Sequence, residues 1–470
     1  MFVFKTKFTL LKIVVTLIIL LFALSLIFFL YAKKYDYSYN THLSYNYNFD
    51  SSNAEKFELN FVNDSFILPE DIDINDKSIF IKINVASTFI GNFFQPYFKI
   101  KSGQKKSTHY LEYGAEGIRY LNVSNITNSD AREIILKGNH IKTKDQKIEL
   151  YAFENLDLAT SKILIISPHP DDAEIAAYGL YAKNKNSYIV TITAGDAGPY
   201  NYDEVYKDST SHYLQKGKLR TWNSITVPLL GGIPYQNIVN LGFFNGTLEE
   251  MKNKDSLPVK SLFSNTSDIQ TFRKQNISNL KDGFTGKSNW KSLVNNLCYL
   301  LDTLKPEIIV SPYPPIDTHS DHKYSTIAII EALRKSNIKK GYFLLYTNHH
   351  PLSGSYPYGE TGDAITLPPN FDNNFYFKSI YSNHLPESLQ KDKFFALEAM
   401  NDLRLDTEWR DPKGAIIIAL KTIKRKYLGP DIDYFRRAVR ENELFFVIPY
   451  IDIYDNEKLN HITGNIKLNN

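Results

Sequence analysis

A chain of 470 residues exceeds an ordinary single domain, and 43% hydrophobic residues supply material for a large core. A net charge of +3 with no basic stripe excludes a dominant nucleic-acid footprint, and the cluster from Lys421 to Lys426 reads as one solvated helix face. A single cysteine, Cys298, excludes an intrachain disulfide and a cysteine-based zinc site, so any metal must be held by His, Asp or Glu.

In chain order, the first predicted element is Ile13 to Tyr31, an uncharged and almost wholly apolar run of 19 residues. As a helix it would span about 28 Å at roughly 1.5 Å per residue, close to a bilayer core of about 30 Å, so it predicts an N-terminal transmembrane helix. No small-residue cleavage site follows it. Lys5, Lys7 and Lys12 precede the run, and Lys33, Lys34 and Asp36 follow. That balance predicts an inside N-terminus and a body on the extracytoplasmic side.

The stretch "KKYDYSYNTHLSYNYNFDSSNAE" is polar and aromatic without period and reads as a linker. From about 56 to 155, short runs such as "SIFIKINVAS", "IRYLNVS" and "KIELYAFE" alternate with period two between turn residues, the pattern of an all-β sandwich. From about 160 the pattern changes to continuous apolar strands, "KILIIS", "SYIVTITAG", "NIVNL", "EIIVS" and "YFLLY", with helical stretches at Trp290 to Leu304 and His322 to Arg334. That alternation predicts an α/β, Rossmann-like domain with a mostly parallel sheet. The expected divisions are an anchor over 1–34, a linker and β-sandwich over 35–158, and a hydrolase domain over 159–470. Cys298 falls in "LVNNLCYLLDTL", a helical apolar pattern, and is expected to be a buried core thiol.

The polar residues of the α/β part collect at strand ends. "SPHPDDAE" follows the first strand, "TAGDAGPYN" the second, and "IDTHSDH" follows "EIIVSPYPP". Ligands of open α/β sheets bind outside the carboxyl ends of strands, so His169, Asp171, Asp172, Asp196, His319, Asp321 and His322 are expected to converge. Residues three apart on a tight turn or first helical turn point the same way, which suits His169 with Asp172 and His319 with His322. Two imidazoles and one carboxylate can hold Zn²⁺ with a fourth position open. A carboxylate that does not bind the metal can take a proton, and a histidine across the site can stabilise an oxyanion or protonate a leaving group. Either motif alone would be an ordinary helix-capping turn; both, after strands of one domain, point to chemistry. The loop "TNHHPLSGSYPYGE" follows a strand and is a candidate substrate-facing loop with His349 and His350. Arg436, Arg437 and Arg440 beside Glu441 and Glu443 read as surface ion pairing.

"PHPDDAEI", "TITAGDAG" and "HSDH" together resemble the PIG-L/LmbE family of metal-dependent de-N-acetylases, over roughly residues 160 to 350 and on through "YFRRAVRENELFF". The resemblance implies His169, Asp172 and His322 as zinc ligands and Asp171 as general base. It implies His319 as oxyanion stabiliser and acid, with Asp321 tuning it. Arg220 resembles a substrate-contacting arginine, and Asp196 and His350 are the other expected substrate contacts. The chain departs from the family at Asn223 and Asn245, where acidic residues are common, and in thinned glycines before Gly179. The implied reaction is hydrolysis of the acetamide of an N-acetylated amino sugar in a surface glycan or glycolipid. The alternatives are a glycan-binding protein without turnover and a hydrolase of another acyl amide. An intact set of ligands, base and acid speaks against the pure binder.

Overall fold

Uncharged apolar strands are stable only where both faces are covered, and the second half of the chain builds its sheet that way. In the computed structural model, which describes residues 11–25 and 37–469 except 71, 73, 75, 127–130, 201, 204 and 401–436, the runs form β10 (Ile163–Ser167), β11 (Ser187–Thr193), β12 (Ile238–Phe243), β13 (Ile308–Pro312) and β14 (Tyr342–Tyr346). They are joined by β15 (Ser379–His384) and β16 (Asn442–Pro449) in the order β12-β11-β10-β13-β14-β16-β15. The first five are parallel, while β16 runs antiparallel to both β14 and β15. Strand order reverses between β10 and β13, which opens a crevice at their carboxyl ends. The register sets Ile163 beside both Ser187 and Ile308, and Pro312 beside Tyr346. The segments after β10, β13 and β14 therefore emerge level with one another.

Four longer helices matter to the site: α1 (Asp172–Lys183), α2 (Ser209–Thr226), α3 (Trp290–Leu304) and α4 (Ser320–Lys335). Asn289 caps α3 by accepting from Ser292 N–H, a satisfied orphan donor of the first turn. Cys298 on α3 is half-buried, with Sγ 3.7 Å from the Ala332 carbonyl.

The first half of the chain forms two antiparallel sheets. One comprises β1 (Glu55–Asn60), β3 (Lys77–Ser87), β6 (Glu116–Asn122), β8 (Ile141–Thr143) and β9 (Lys147–Glu154). The other comprises β2 (Ser65–Ile67), β4 (Tyr97–Ser102), β5 (Lys105–Tyr110) and β7 (Glu133–Asn139). Alternation along β3 explains why the larger sheet has two covered faces. Ile79, Ile81, Ile83 and Val85 pack toward the smaller sheet with Phe98, Ile100, Ile134 and Leu136. Phe80, with Tyr120, Tyr151 and Phe153 from neighbouring strands, joins the core that includes Leu164 and Ile166 of β10.

The architecture corrects the expected fold class. Antiparallel pairings outnumber parallel ones nine to four among the described residues, so "mostly parallel" describes only β12 to β14 of one sheet. Nor is the chain a sandwich followed by a separate Rossmann-like unit, because the five-stranded sheet shares an aromatic core with the seven-stranded one. The segment expected as a linker fills that seam. Tyr45, Tyr47 and Phe49 are buried, with the Phe49 ring 4.1 Å from Tyr151 and Tyr47 stacked 6.4 Å from Phe446. Alternation in sequence shows which residues are apolar, not which of two partners each face meets.

The transmembrane expectation is overturned as well. Among the described residues no helix is long and apolar enough to cross a membrane. The described part of the apolar run, residues 13–25, is helical. The anchor, the membrane as partner and the extracytoplasmic placement drawn from it are therefore unsupported. Residues 26–31 of the apolar run, Lys5, Lys7, Lys33, Lys34 and Asp36, and the 421–426 cluster lie outside the described residues.

Candidate metal and active site

β10 ends at Ser167, and the chain turns through His169, Pro170 and Asp171 into α1. The turn is held by its own polar groups. Ser167 Oγ donates to the His169 carbonyl at 2.6 Å and accepts from Ala173 N–H, and His169 N–H donates to Asp172 Oδ2 at 2.9 Å. Asp171 sits at φ +118°, a conformation that costs a non-glycine residue roughly 1–3 kcal/mol and that recurs at functional sites.

His169 Nδ1, Asp172 Oδ2 and His322 Nε2 form a small triangle with edges of 3.1, 3.1 and 3.3 Å. Tetrahedral ligands about 2.0 Å from a zinc ion stand about 3.3 Å apart, so the donor set fits such an ion without rearrangement. The far nitrogens are fixed. His169 Nε2 meets Asp321 Oδ2 at 3.0 Å, and His322 Nδ1 meets Asp317 Oδ2 at 3.0 Å. Carboxylates on the far ring nitrogens hold the protons there and turn the lone pairs of the near nitrogens into the triangle. Asn348 Nδ2 donates to the other Asp172 oxygen at 2.8 Å.

The electrostatics are those of a cluster that attracts positive charge. Burial alone would raise the Asp172 carboxyl, but His322 and His169 hold it well below its ordinary value. Burial would lower the His322 imidazole, and Asp172 and Asp317 outweigh it and raise the group well above normal. Asp172, Asp317 and Asp321 are all buried. Ionised carboxylates in such a place are costly unless a positive charge lies among them, and the triangle is where a cation would supply it.

His319 is the helix-start residue of α4, and its Nδ1 accepts from the Asp321 N–H at 3.2 Å. Its ring lies 4.6 Å from that of His169 and 5.0 Å from that of His322. Burial, followed by the neighbouring histidines, pushes its pKa down to about 4. A neutral ring whose Nδ1 accepts a hydrogen bond carries its proton on Nε2. Asp321, expected to tune His319, raises that imidazole against the larger lowering by burial, and its carboxylate also bonds the ring of His169 and accepts from the N–H groups of Gly246 and Leu248.

The expected substrate contacts separate. Arg220 Nη2 donates to Asp171 Oδ2 at 3.0 Å and to the Pro170 carbonyl, so it grips the base and its strained turn. Gly195, at φ +67°, leaves room for this; a Cβ there would stand 2.7 Å from Arg220 Nε. Asp196 is fully buried and accepts from Ser261 Oγ, Ser264 Oγ and the Asn245 N–H at 2.6, 2.8 and 2.9 Å. It ties two loops together. His350 is buried, with Nδ1 accepting from Leu352 N–H and its ring 5.5 Å from Tyr356; burial pushes its pKa down to about 4. Its neighbour His349 is the one at the cluster, in ligand-atom reach of Asp172 and His322. Arg440, expected on the surface, is fully buried and donates to the carbonyls of Pro357, Tyr358, Gly359 and Glu360. Arg436 lies outside the described residues.

Sequence reasoning missed Asp317 and Asn348 and left His349 without a role. The available signal was position: all three lie just beyond the carboxyl ends of β13 and β14.

Residues 164–333 match the family described as "PIG-L: GlcNAc-PI de-N-acetylase", and this part of the chain is a PIG-L family domain. No curated protein matches the sequence. Among solved structures, the A40926 pseudoaglycone deacetylase Dbv21 is 17% identical, covering 62% of this chain and 98% of that one, with a TM-score of 0.32. The zinc-inhibited form of teicoplanin deacetylase Orf2 is 14% identical over 61% of this chain and 98% of that one, with a TM-score of 0.31. The conserved protein TT1542 from Thermus thermophilus is 18% identical over 61% and 94%, with a TM-score of 0.30.

Proposed function

We propose that the chain is a zinc-dependent de-N-acetylase that hydrolyses the acetamide of an N-acetylated amino sugar carried on a glycan or glycolipid, with residues 159–470 as its catalytic unit. One observation carries the reading: three buried donor atoms at 3.1–3.3 Å from one another, with the carboxylate of Asp171 left outside the triangle on Arg220. A pure binder needs neither the open donor set nor the spare base. The sugar class follows the description of the family matched by residues 164–333.

His169, Asp172 and His322 would hold the metal. A zinc ion there supplies a Lewis acid and lowers the pKa of water toward neutrality. Asp171 accepts the proton of the water that attacks the acetamide carbon. Arg220 fixes the direction from which it does so. His319 faces the same site with Nε2–H and donates to the oxyanion of the tetrahedral intermediate, while the proton taken up by Asp171 returns to the amine as the C–N bond breaks. Acetate and the free amino sugar result.

The test is acetate release from N-acetylated glycans together with metal content. Asp171→Asn is expected to keep its zinc and lose roughly 10²–10⁴-fold in kcat. Full activity in that variant would remove Asp171 as base. His169→Ala and His322→Ala are expected to lose the metal, and unchanged metal content in both would place the site elsewhere.

A further inference from the structure

Two histidines, not one, stand at the mouth of the donor triangle. His169, Asp172 and His322 are buried, whereas His319 and His349 are both partly exposed. They come from different strand ends, His319 after β13 and His349 after β14. The His349 ring lies 4.8 Å from that of His322 and 5.6 Å from that of His319. Its ligand atom stands within 4.8 Å of those of Asp172 and His322. His349 therefore borders the donor triangle on its open side, where a group held on the ion would meet it.

The backbone places His349 there with some rigidity. Its own N–H and that of Asn348 both donate to Asp317 Oδ2, at 3.3 and 3.2 Å, the oxygen that also holds His322. Asn348 meanwhile donates to Asp172. The loop is thus pinned to two of the three donor residues, and His349 inherits its position from them. In either protonation state an imidazole offers at least one N–H.

We propose that His349 is a second catalytic imidazole, which donates a hydrogen bond to the acyl oxygen of the substrate and of the carboxylate product across the mouth from His319. The proposal rests on the amide-hydrolysis reading above. It gives the acyl oxygen two donors, His319 and His349, from two different strand ends. No bond is made or broken at His349.

The experiment uses the full chain loaded with Co²⁺ and titrated with sodium acetate, followed by the visible absorption of the metal. His349→Ala is expected to bind Co²⁺ as the wild type does and to bind acetate about tenfold more weakly, with kcat/KM reduced about 100-fold. His349→Gln, which keeps an N–H donor, is expected to recover part of both losses. Acetate affinity and kcat/KM within threefold of wild type in His349→Ala would overturn the proposal and leave the metal site standing. Weaker Co²⁺ binding in His349→Ala would also overturn it, since the residue would then be a ligand. Failure of the wild type itself to bind Co²⁺ would remove the parent reading and the proposal with it.

Discussion

Asp317 accepts four hydrogen bonds: from the His319 N–H and His322 Nδ1 on one side, and from the N–H groups of Asn348 and His349 on the other. It touches no substrate position, yet it fixes the tautomer of one donor and the loop that carries two further site residues. Asp317→Asn is expected to lower metal affinity about 10–100-fold, the usual cost of losing such a partner. Competition with a chelator measures it, and an unchanged affinity would show that His322 is oriented by other means. His169, Asp172 and His322 were readable in the sequence because a three-residue spacing at a strand end is a local pattern. Asp317 and Asn348 were not, because their partners are partly main-chain groups that carry no letter and partly distant, with 31 residues between Asp317 and Asn348 and 176 between Asn348 and Asp172. Choosing between His349 and His350 failed for a related reason. A loop has no period, so adjacent side chains give no hint of which one faces the site.

At the scale of elements, α1 starts at the metal turn and breaks one turn later, where Ala177 has φ −140° and ψ 17°. The N–H groups of Gly179 and Leu180 donate to the two oxygens of Glu443 on β16, at 2.7 and 2.9 Å. Lys393 joins them, donating to Glu443 at 3.0 Å and to the Ile175 carbonyl at 2.8 Å. A buried carboxylate and ammonium thus take over bonds that the helix has given up. Glu443→Ala would leave a buried cation and two amides without their acceptor, and such losses cost about 3–5 kcal/mol. Chemical denaturation checks this, and a cost below about 1 kcal/mol would mean that water or a rearranged helix replaces the carboxylate. The strands from β10 to β14 and the helix α3 were legible because continuous apolar runs and a 3.6-residue period are strong local signals. The break in α1 was not, since "AEIAAYGL" is a good helical sequence and only tertiary partners make the kink affordable. Glu443 and Arg440 read as surface charges because charge in sequence does not say whether partners await it.

Across the whole molecule, Glu441 sits where the parts meet. Ser107 of the small sheet donates to its carboxylate, and Asn125 donates to its carbonyl. Burial pushes its pKa up from 4.5 to about 7, with Ser107 and Asn125 opposing. The folded protein therefore holds this proton more tightly than the unfolded chain does. The associated stability is complete below about pH 4.5 and is lost as pH rises toward 7, by about 2–3 kcal/mol at roughly 1.4 kcal/mol per unit. Glu441→Gln stays neutral and is expected to flatten that decline. Melting curves from pH 5 to 8 should converge with wild type at the acid end and run higher at the alkaline end. Parallel curves would show that Glu441 titrates normally. At this scale the sequence was least informative, because it lists apolar faces without saying how they pair. The seam filled by residues 45–49 also has a bearing on how the chain is made. Tyr47 donates to the Pro368 carbonyl and packs on Phe375, Phe377 and Phe446. During synthesis these early aromatics leave the ribosome hundreds of residues before the strand that finally covers them. Through that interval the nascent chain presents an uncovered aromatic stripe, and non-local closure of this kind is slow and prone to self-association. Folding of this protein is therefore timed by its last strand.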